Sequence, residues 1–344
     1  MNRYSTTIQS VSIFFCADAL KTAIDRCQIG QDCRPIFFLP YSQCLFQKEP
    51  EEFIHDFELN LIGYDYIIGV KIKDRGDEMI RESTTNEELN KILAQCPPDT
   101  IIGEFAGRDS VAAIFKALKQ NDVRYILPVA TFAPVEYGSA SVLEENHRLL
   151  SREVALQYED KKTVGPLIYL SNRGLWQALN SSFVGRLQHR YGFYTPCIAC
   201  HAYMHLIRMP LARQFSGVLI SGEREHHDNR LKVNQLNICL DSYQRILKHF
   251  EVDLWMPLRY ARQSRLIEAL VGWEWEEGKA QADCLFDGSE KNRDGQAMFD
   301  YARIHHYLTS FLEPACIALG TLLLKEPNIS FEKLKESVHQ IEEN

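Results

Sequence analysis

Three short stretches carry side chains that could do chemistry. In "GFYTPCIACHAYMHLIRMPLAR" (192–213), Cys197 and Cys200 stand three residues apart behind Pro196, followed by His201, His205, Arg208 and Arg213. Two thiols so spaced at a helix start suit a shared metal or a redox pair, because a helix N-terminus lowers thiol pKa. In "GEFAGRDSVAAIFKAL" (103–118), Gly103 and Gly107 bracket a strand end, and Arg108, Asp109 and Ser110 open the helix that follows. Such a helix start carries roughly half a positive charge and N–H groups with no internal partner, so strand, glycine turn and helix make an anion cradle. Asp109 or Ser110 is expected to cap it. In "VLISGEREHHDNRLKVNQ" (218–235), a strand ends at Ser221 and Gly222 and presents Glu223, Arg224, Glu225, His226, His227 and Asp228. Carboxylates there can hold Mg2+ and its phosphates, while Arg224 and Lys232 neutralise developing negative charge.

Each stretch also has a plainer reading. The first could be a structural zinc site, although only histidines are nearby as a second pair of ligands. C-x-x-C-H is also the spacing of c-type haem attachment, which needs an export signal that the sequence does not support. The second could be a simple βα turn, and the third a solvated charged loop. Their common position favours the functional reading, since all three fall where parallel strands end and open α/β sheets bind ligands.

The elements that would position them follow from the apolar pattern. Strand-like runs occur at "VSIFF", "RPIFFL", "YDYIIGVKI", "DTIIGEF", "VRYILPVA", "GPLIYL" and "GVLISG", with amphipathic stretches between most of them. That alternation predicts an α/β fold with a largely parallel sheet. The paired prolines of "AQCPPDT" (94–100) cannot continue a helix and mark the expected boundary of an N-terminal α/β segment, 1–97. A catalytic domain is expected over 98–290 and a helical C-terminal region over 291–344.

At 344 residues, with 45% hydrophobic and 24% charged residues, the chain has the composition of a globular protein. A net charge of −8 argues against a broadly basic nucleic-acid coat, though not against a local basic groove. No apolar run approaches the roughly 18 residues that span a bilayer. "VSIFFCADAL" (11–20) reads as a buried first strand rather than a secretory core, because Asp18 interrupts it. A cytoplasmic location is therefore expected, with no membrane partner and with the ten cysteines as reduced thiols or metal ligands.

Aligned on Asp109 and Ser110, the segment Phe105-Ala106-Gly107-Arg108-Asp109-Ser110 resembles the SGGxDS motif of the PP-loop ATP pyrophosphatases, with the first Ser and first Gly replaced. A phosphate loop, then C-x-x-C, then an acidic strand-end motif is similar in order to the ATP-dependent tRNA thiolases of the 2-thiocytidine synthetase type. The resemblance covers roughly residues 98–290. It implies a PP-loop (adenine nucleotide alpha hydrolase-like) domain that binds ATP through Gly107, Arg108, Asp109, Ser110, Gly222, Glu223 and Lys232. It implies Mg2+ on Glu223 and Asp228, and catalytic roles for Asp109, Arg224, Cys197 and Cys200. Those thiolases hold a [4Fe–4S] cluster on three cysteines, which points to Cys284 in "GKAQADCLFDG" as the third, with Cys239 competing.

The expected chemistry is thiolation. Attack of a carbonyl oxygen on the α-phosphorus of ATP releases pyrophosphate, and sulfur from a donor then displaces AMP. Sulfur would arrive as a persulfide on Cys197 or Cys200, or on the cluster's open iron. The substrate would be a tRNA nucleobase or a small molecule; Arg173, Arg186, His189 and Arg190 with Trp176 form a local basic and aromatic mix that could meet RNA. Rival functions are an amide- or nitrile-forming synthetase with structural zinc, and a non-catalytic nucleotide-binding protein. His305, His306 and Cys316 read as ordinary helix residues, Trp255, Trp273 and Trp275 as packing, and Arg259 as a group that could reach the site.

Overall fold

The computed structural model describes residues 83–137, 140–159, 161–228, 231–273, 283–286, 300–326 and 328–343, together with four strands nearer the N-terminus. Those four form two antiparallel hairpins, β1 (Ile36–Leu39) with β2 (Ser42–Leu45) and β3 (Phe57–Asn60) with β4 (Gly69–Ile72). The "VSIFF" run and Trp275 lie outside the described residues.

The main body is α/β. After α1 (Asn86–Leu93) come β5 (Ile101–Glu104), α2 (Arg108–Leu118), β6 (Tyr125–Phe132), the short β7 (Glu136–Tyr137), α3 (Ser141–Tyr158), β8 (Thr163–Val164) and β9 (Ile168–Ser171). Then follow α4 (Arg173–Asn180), α5 (Val184–Tyr191), α6 (Pro196–Gln214), β10 (Val218–Ile220), α7 (Asn237–His249), β11 (Asp253–Trp255) and α8 (Ser264–Val271). The short β12 (Asp283–Cys284) precedes α9 (Tyr301–Tyr307), a π turn (Leu308–Leu312), α10 (Glu313–Lys325) and α11 (Phe331–Glu342).

The sheet runs β11-β10-β5-β6, with β8 and β9 both on the far edge of β6, and every pairing in it is parallel. β6 reads Tyr-Ile-Leu-Pro-Val-Ala-Thr-Phe because a central parallel strand is buried on both faces. Its Pro128 has no N–H to offer, and the edge opposite it is interrupted between Val164 and Ile168, so one strand becomes β8 and β9.

Alternate strand residues feed two cores. Ile102, Leu127, Val129 and Leu219 face α4–α7 and α9–α11; Ile101, Ile126, Ala130 and Ile220 face α2, α3 and α8. Gly103 lets α2 sit close, since a Cβ there would lie 2.8 Å from Ile126 and 3.1 Å from Ile114. The chain enters the sheet at β5, runs out to β9, and returns to β10 on the other side of β5. The helices after β5 and β10 therefore leave to opposite faces, which opens a crevice at their C-terminal ends.

Packing continues across both expected boundaries. Leu89, Ile92, Leu93 and Cys96 pack on the core of α4–α7, and Thr84 N donates to Tyr169 O at 2.9 Å. Ile304, Tyr307, Leu312, Leu319 and Leu334 belong to that same core. By length and composition Tyr301–Lys325 could cross a bilayer, a run the sequence pattern missed because its polar residues are scattered. Ile304, Leu308, Phe311, Leu312, Ala315 and Leu319 bury one side of it, as in the core helix of a folded domain.

Candidate functional site

Helix α6 carries the polar stripe of the molecule. Pro196 opens it, where a missing N–H costs nothing, and Thr195 caps it by accepting from Cys197 N at 3.4 Å. Cys197, Cys200, His201, His205 and Arg208 follow at spacings of three and four, so they share one face. The helix packs on β5, β6 and β10.

Two buried carboxylates meet the stripe. Glu223, 2% exposed, accepts from His201 Nδ1 at 2.7 Å and His205 Nε2 at 3.0 Å. Asn234 Nδ2 donates to His201 Nε2 at 2.7 Å, which leaves Nδ1 as the ring's donor to Glu223. Burial opposes the charge on Glu223, but His205 and His201 outweigh it and hold its carboxyl far below the usual range. Glu104 accepts from Ser221 Oγ (2.7 Å) and Gly222 N (2.9 Å), and Arg208 Nη2 lies 3.5 Å from its other oxygen. Burial raises its pKa, yet Arg208 and the surrounding donors bring it below the ordinary value.

At the start of α6 the thiols gather. Trp176 Nε1 donates to Cys200 Sγ at 3.3 Å in the core. Burial pushes the Cys200 thiol well up, and the charges of Glu136, Cys284 and Cys197 act on it in the same direction. Cys284 reaches this corner because β12 pairs antiparallel with β7, placing Cys284 opposite Glu136, while Phe286 N donates to Cys284 Sγ at 3.4 Å. Glu136 itself accepts from Ala133 N at 2.6 Å, and burial lifts its pKa to about 7 against that hydrogen bond and the charges of His201 and Arg208. Among the described residues no three His, Cys, Asp or Glu side chains are grouped as a metal site.

Cys197 and Cys284 both act electrostatically on Cys200 at this corner. The sulfurs of Cys200 and Cys284 accept N–H bonds from Trp176 and Phe286. For Cys200, burial overrides the lowering expected from the helix N-terminus, so that thiol is held protonated rather than activated. Cys239 is buried, with Sγ donating to Val233 O at 3.2 Å.

The anion cradle is built differently from the expectation. Gly107, not Asp109 or Ser110, is the N-cap of α2. Ser110, at the third helical position, turns back so that Oγ accepts from Ala106 N (3.0 Å) and Gly107 N (3.1 Å). Asp109 is used by cations: Arg224 Nε lies 2.7 Å from Oδ2 and Arg108 Nε 3.2 Å from Oδ1. Arg108 is buried and also bonds Glu268 at 2.8 Å, so its guanidinium faces α8. Gly222 lies flat on the helix start, where a Cβ would be 2.3 Å from Ser110 N.

Two further expectations are corrected. Glu223 and Asp228 are not brought together for Mg2+: Glu223 turns inward to α6, whereas Asp228, at φ 49°, accepts from Ser264 N at 3.0 Å and from its hydroxyl. Arg224, 1% exposed, is committed through its three nitrogens to Asp109, His226 O (2.6 Å) and Ser264 Oγ (3.0 Å). Lys232 is exposed, beside His227. Arg259 braces the loop after β10 against α7 through Glu225 (2.7 Å) and Asp241 (2.6 Å). On the outer surface Arg186 and Arg190 both bond Glu342 at 2.8 Å, while Trp176 is core.

Comparison with known proteins places the chain. It is 36% identical over 245 residues to uncharacterized protein MJ0009 of Methanocaldococcus jannaschii, across 70% of this chain and 88% of that protein. The chain belongs to the MJ0009 family. No protein-family model matches it. In this member of the MJ0009 family, the groups that residue patterns did not single out are Glu104, Glu136 and Asn234. Glu104 had one signal available: a lone carboxylate ending a strand of isoleucines, where burial demands a partner. Asn234 had none, because its partner His201 lies 33 residues away, and Glu136, bonded to Ala133 N, sits in a strand too short to leave a periodic signal.

Proposed function

We propose that the chain is an ATP-dependent, thiol-using enzyme of the PP-loop kind, which adenylates a carbonyl oxygen and replaces it with sulfur. The observation that carries this reading is convergence at the switch point. The start of α2 and the loop after β10 meet through Gly222 on Ser110 and Asp109 on Arg224, and the same loop contacts α6 through Glu223. Open α/β sheets bind ligands in such a crevice, which supports the reading.

The chain's own groups supply binding and positioning. The N–H groups that open α2 at Arg108, Asp109 and Ser110 offer donors and partial positive charge to phosphates. Gly222 lets the loop after β10 pack directly on that helix start, and Lys232 is exposed on the same loop. Cys197, Cys200 and Cys284 would hold a [4Fe–4S] cluster, which when bound supplies an open iron site for carrying sulfur. Mg2+ would accompany ATP. The substrate class is a nucleobase carbonyl in tRNA or in a small molecule, with sulfur from a separate donor.

The test is product analysis with α- and γ-labelled ATP, using unmodified tRNA and free nucleobases as substrates. AMP and pyrophosphate formed in equal amounts support adenylation. ADP and phosphate, or no nucleotide binding, overturn it.

A further inference from the structure

The tripeptide Gly222-Glu223-Arg224 faces two places at once. Gly222 lies on Ser110 N, and Arg224 bonds Asp109 at 2.7 Å, so the residues on either side of Glu223 touch the start of α2. Glu223 points the opposite way, into α6, holding His201 and His205 at 2.7 and 3.0 Å. His201 directly follows Cys200, and its second nitrogen is fixed by Asn234 at 2.7 Å. An occupant that shifts the loop against α2 must therefore move the atoms that orient the thiol-bearing turn.

Glu223 is not needed to glue α6 down. Ile198, Ala202, Leu206 and Met209 already bury that helix in the core. A buried carboxylate between two imidazoles gains little over an apolar side chain in stability; what it adds is direction.

We propose that Glu223 is a positioning residue that couples occupancy of the nucleotide loop to the placement of Cys197 and Cys200. The inference deepens the function proposed above and rests on it. Sequence order strengthens it: neighbouring residues on one strand end have partners on two different elements, so the two ends of the crevice share one short lever.

Amide hydrogen exchange of the full chain, with and without Mg2+ and a non-hydrolysable ATP analogue, tests the coupling directly. In wild type the analogue should slow exchange over 106–112 and, by roughly fivefold, over 197–205. In Glu223→Gln the first protection should remain and the second should be lost. His201→Gln, which removes the partly exposed ring and its bonds to Glu223 and Asn234, should halve the effect or more if Glu223→Gln does not fold. Protection at 106–112 without any at 197–205 in wild type overturns the inference, as does equal protection in wild type and the variants. A carboxylate that merely braced α6 would change exchange there equally with and without nucleotide. No protection in either segment overturns the nucleotide reading itself, and the inference with it.

Discussion

Asp109 Oδ2 and Arg224 Nε lie 2.7 Å apart, joining the helix after β5 to the loop after β10 across 115 residues of sequence. Arg224 is 1% exposed and Asp109 a quarter exposed, so the pair is closed to water mainly on the arginine side. Asp109→Ala leaves a buried guanidinium without its carboxylate, an expected loss of about 3 kcal/mol in urea unfolding. Arg224→Met should cost less, about 1 kcal/mol, because Asp109 keeps solvent and Arg108. The reverse order would show that the carboxylate, rather than the arginine, is the desolvated partner.

Gly222→Ala tests the close approach of the two loops. Its Cβ would stand 2.3 Å from Ser110 N and 2.6 Å from the Asp109 carbonyl carbon, and backbone cannot yield as a flexible side chain can. A loss of about 2 kcal/mol is expected, with nucleotide affinity falling at least tenfold as the helix start is pushed away. Unchanged binding by calorimetry would place the nucleotide elsewhere.

His227 gives a pH signature. It is buried with Nε2 on Gln235 Oε1, and burial together with the charges of Lys232 and Arg224 lowers its pKa to about 4 from the usual 6.5. Between those values the unfolded chain binds a proton that the native chain refuses. Stability should therefore fall as pH falls through that window, by about 1.4 kcal/mol per pH unit for this group, and be insensitive to it above. His227→Gln should remove that much slope from urea unfolding measured between about pH 4.5 and 6. An identical slope in the variant would show that His227 takes up its proton in the native state.

The parts legible in the sequence were those set by local pattern. The runs around Ile102, Leu127 and Leu219 gave the strands, and the spacing of Cys197 and Cys200 gave their shared helix face. The charge run at 223–228 was not legible as structure. Glu223, Arg224 and His227 in it are buried, made tolerable by partners on α2, α6 and α8 and by Gln235, and nothing within the run names them. Likewise Ser110 and Asp109 looked free to cap or bind, but the loop N–H groups and Arg224 claim them once the chain is folded. Cys284 was suggested by resemblance; its route to the α6 corner runs through the two-residue strands β7 and β12, too short to leave a periodic signal.

Iron and acid-labile sulfide content, measured on chain purified without oxygen, tests the thiol corner most directly. Wild type should carry about four irons, lost in Cys197→Ala, Cys200→Ala and Cys284→Ala and kept in Cys239→Ala and Cys316→Ala. Zinc in place of iron, no metal, or loss of iron in Cys239→Ala but not in Cys284→Ala would contradict a cluster held by Cys197, Cys200 and Cys284.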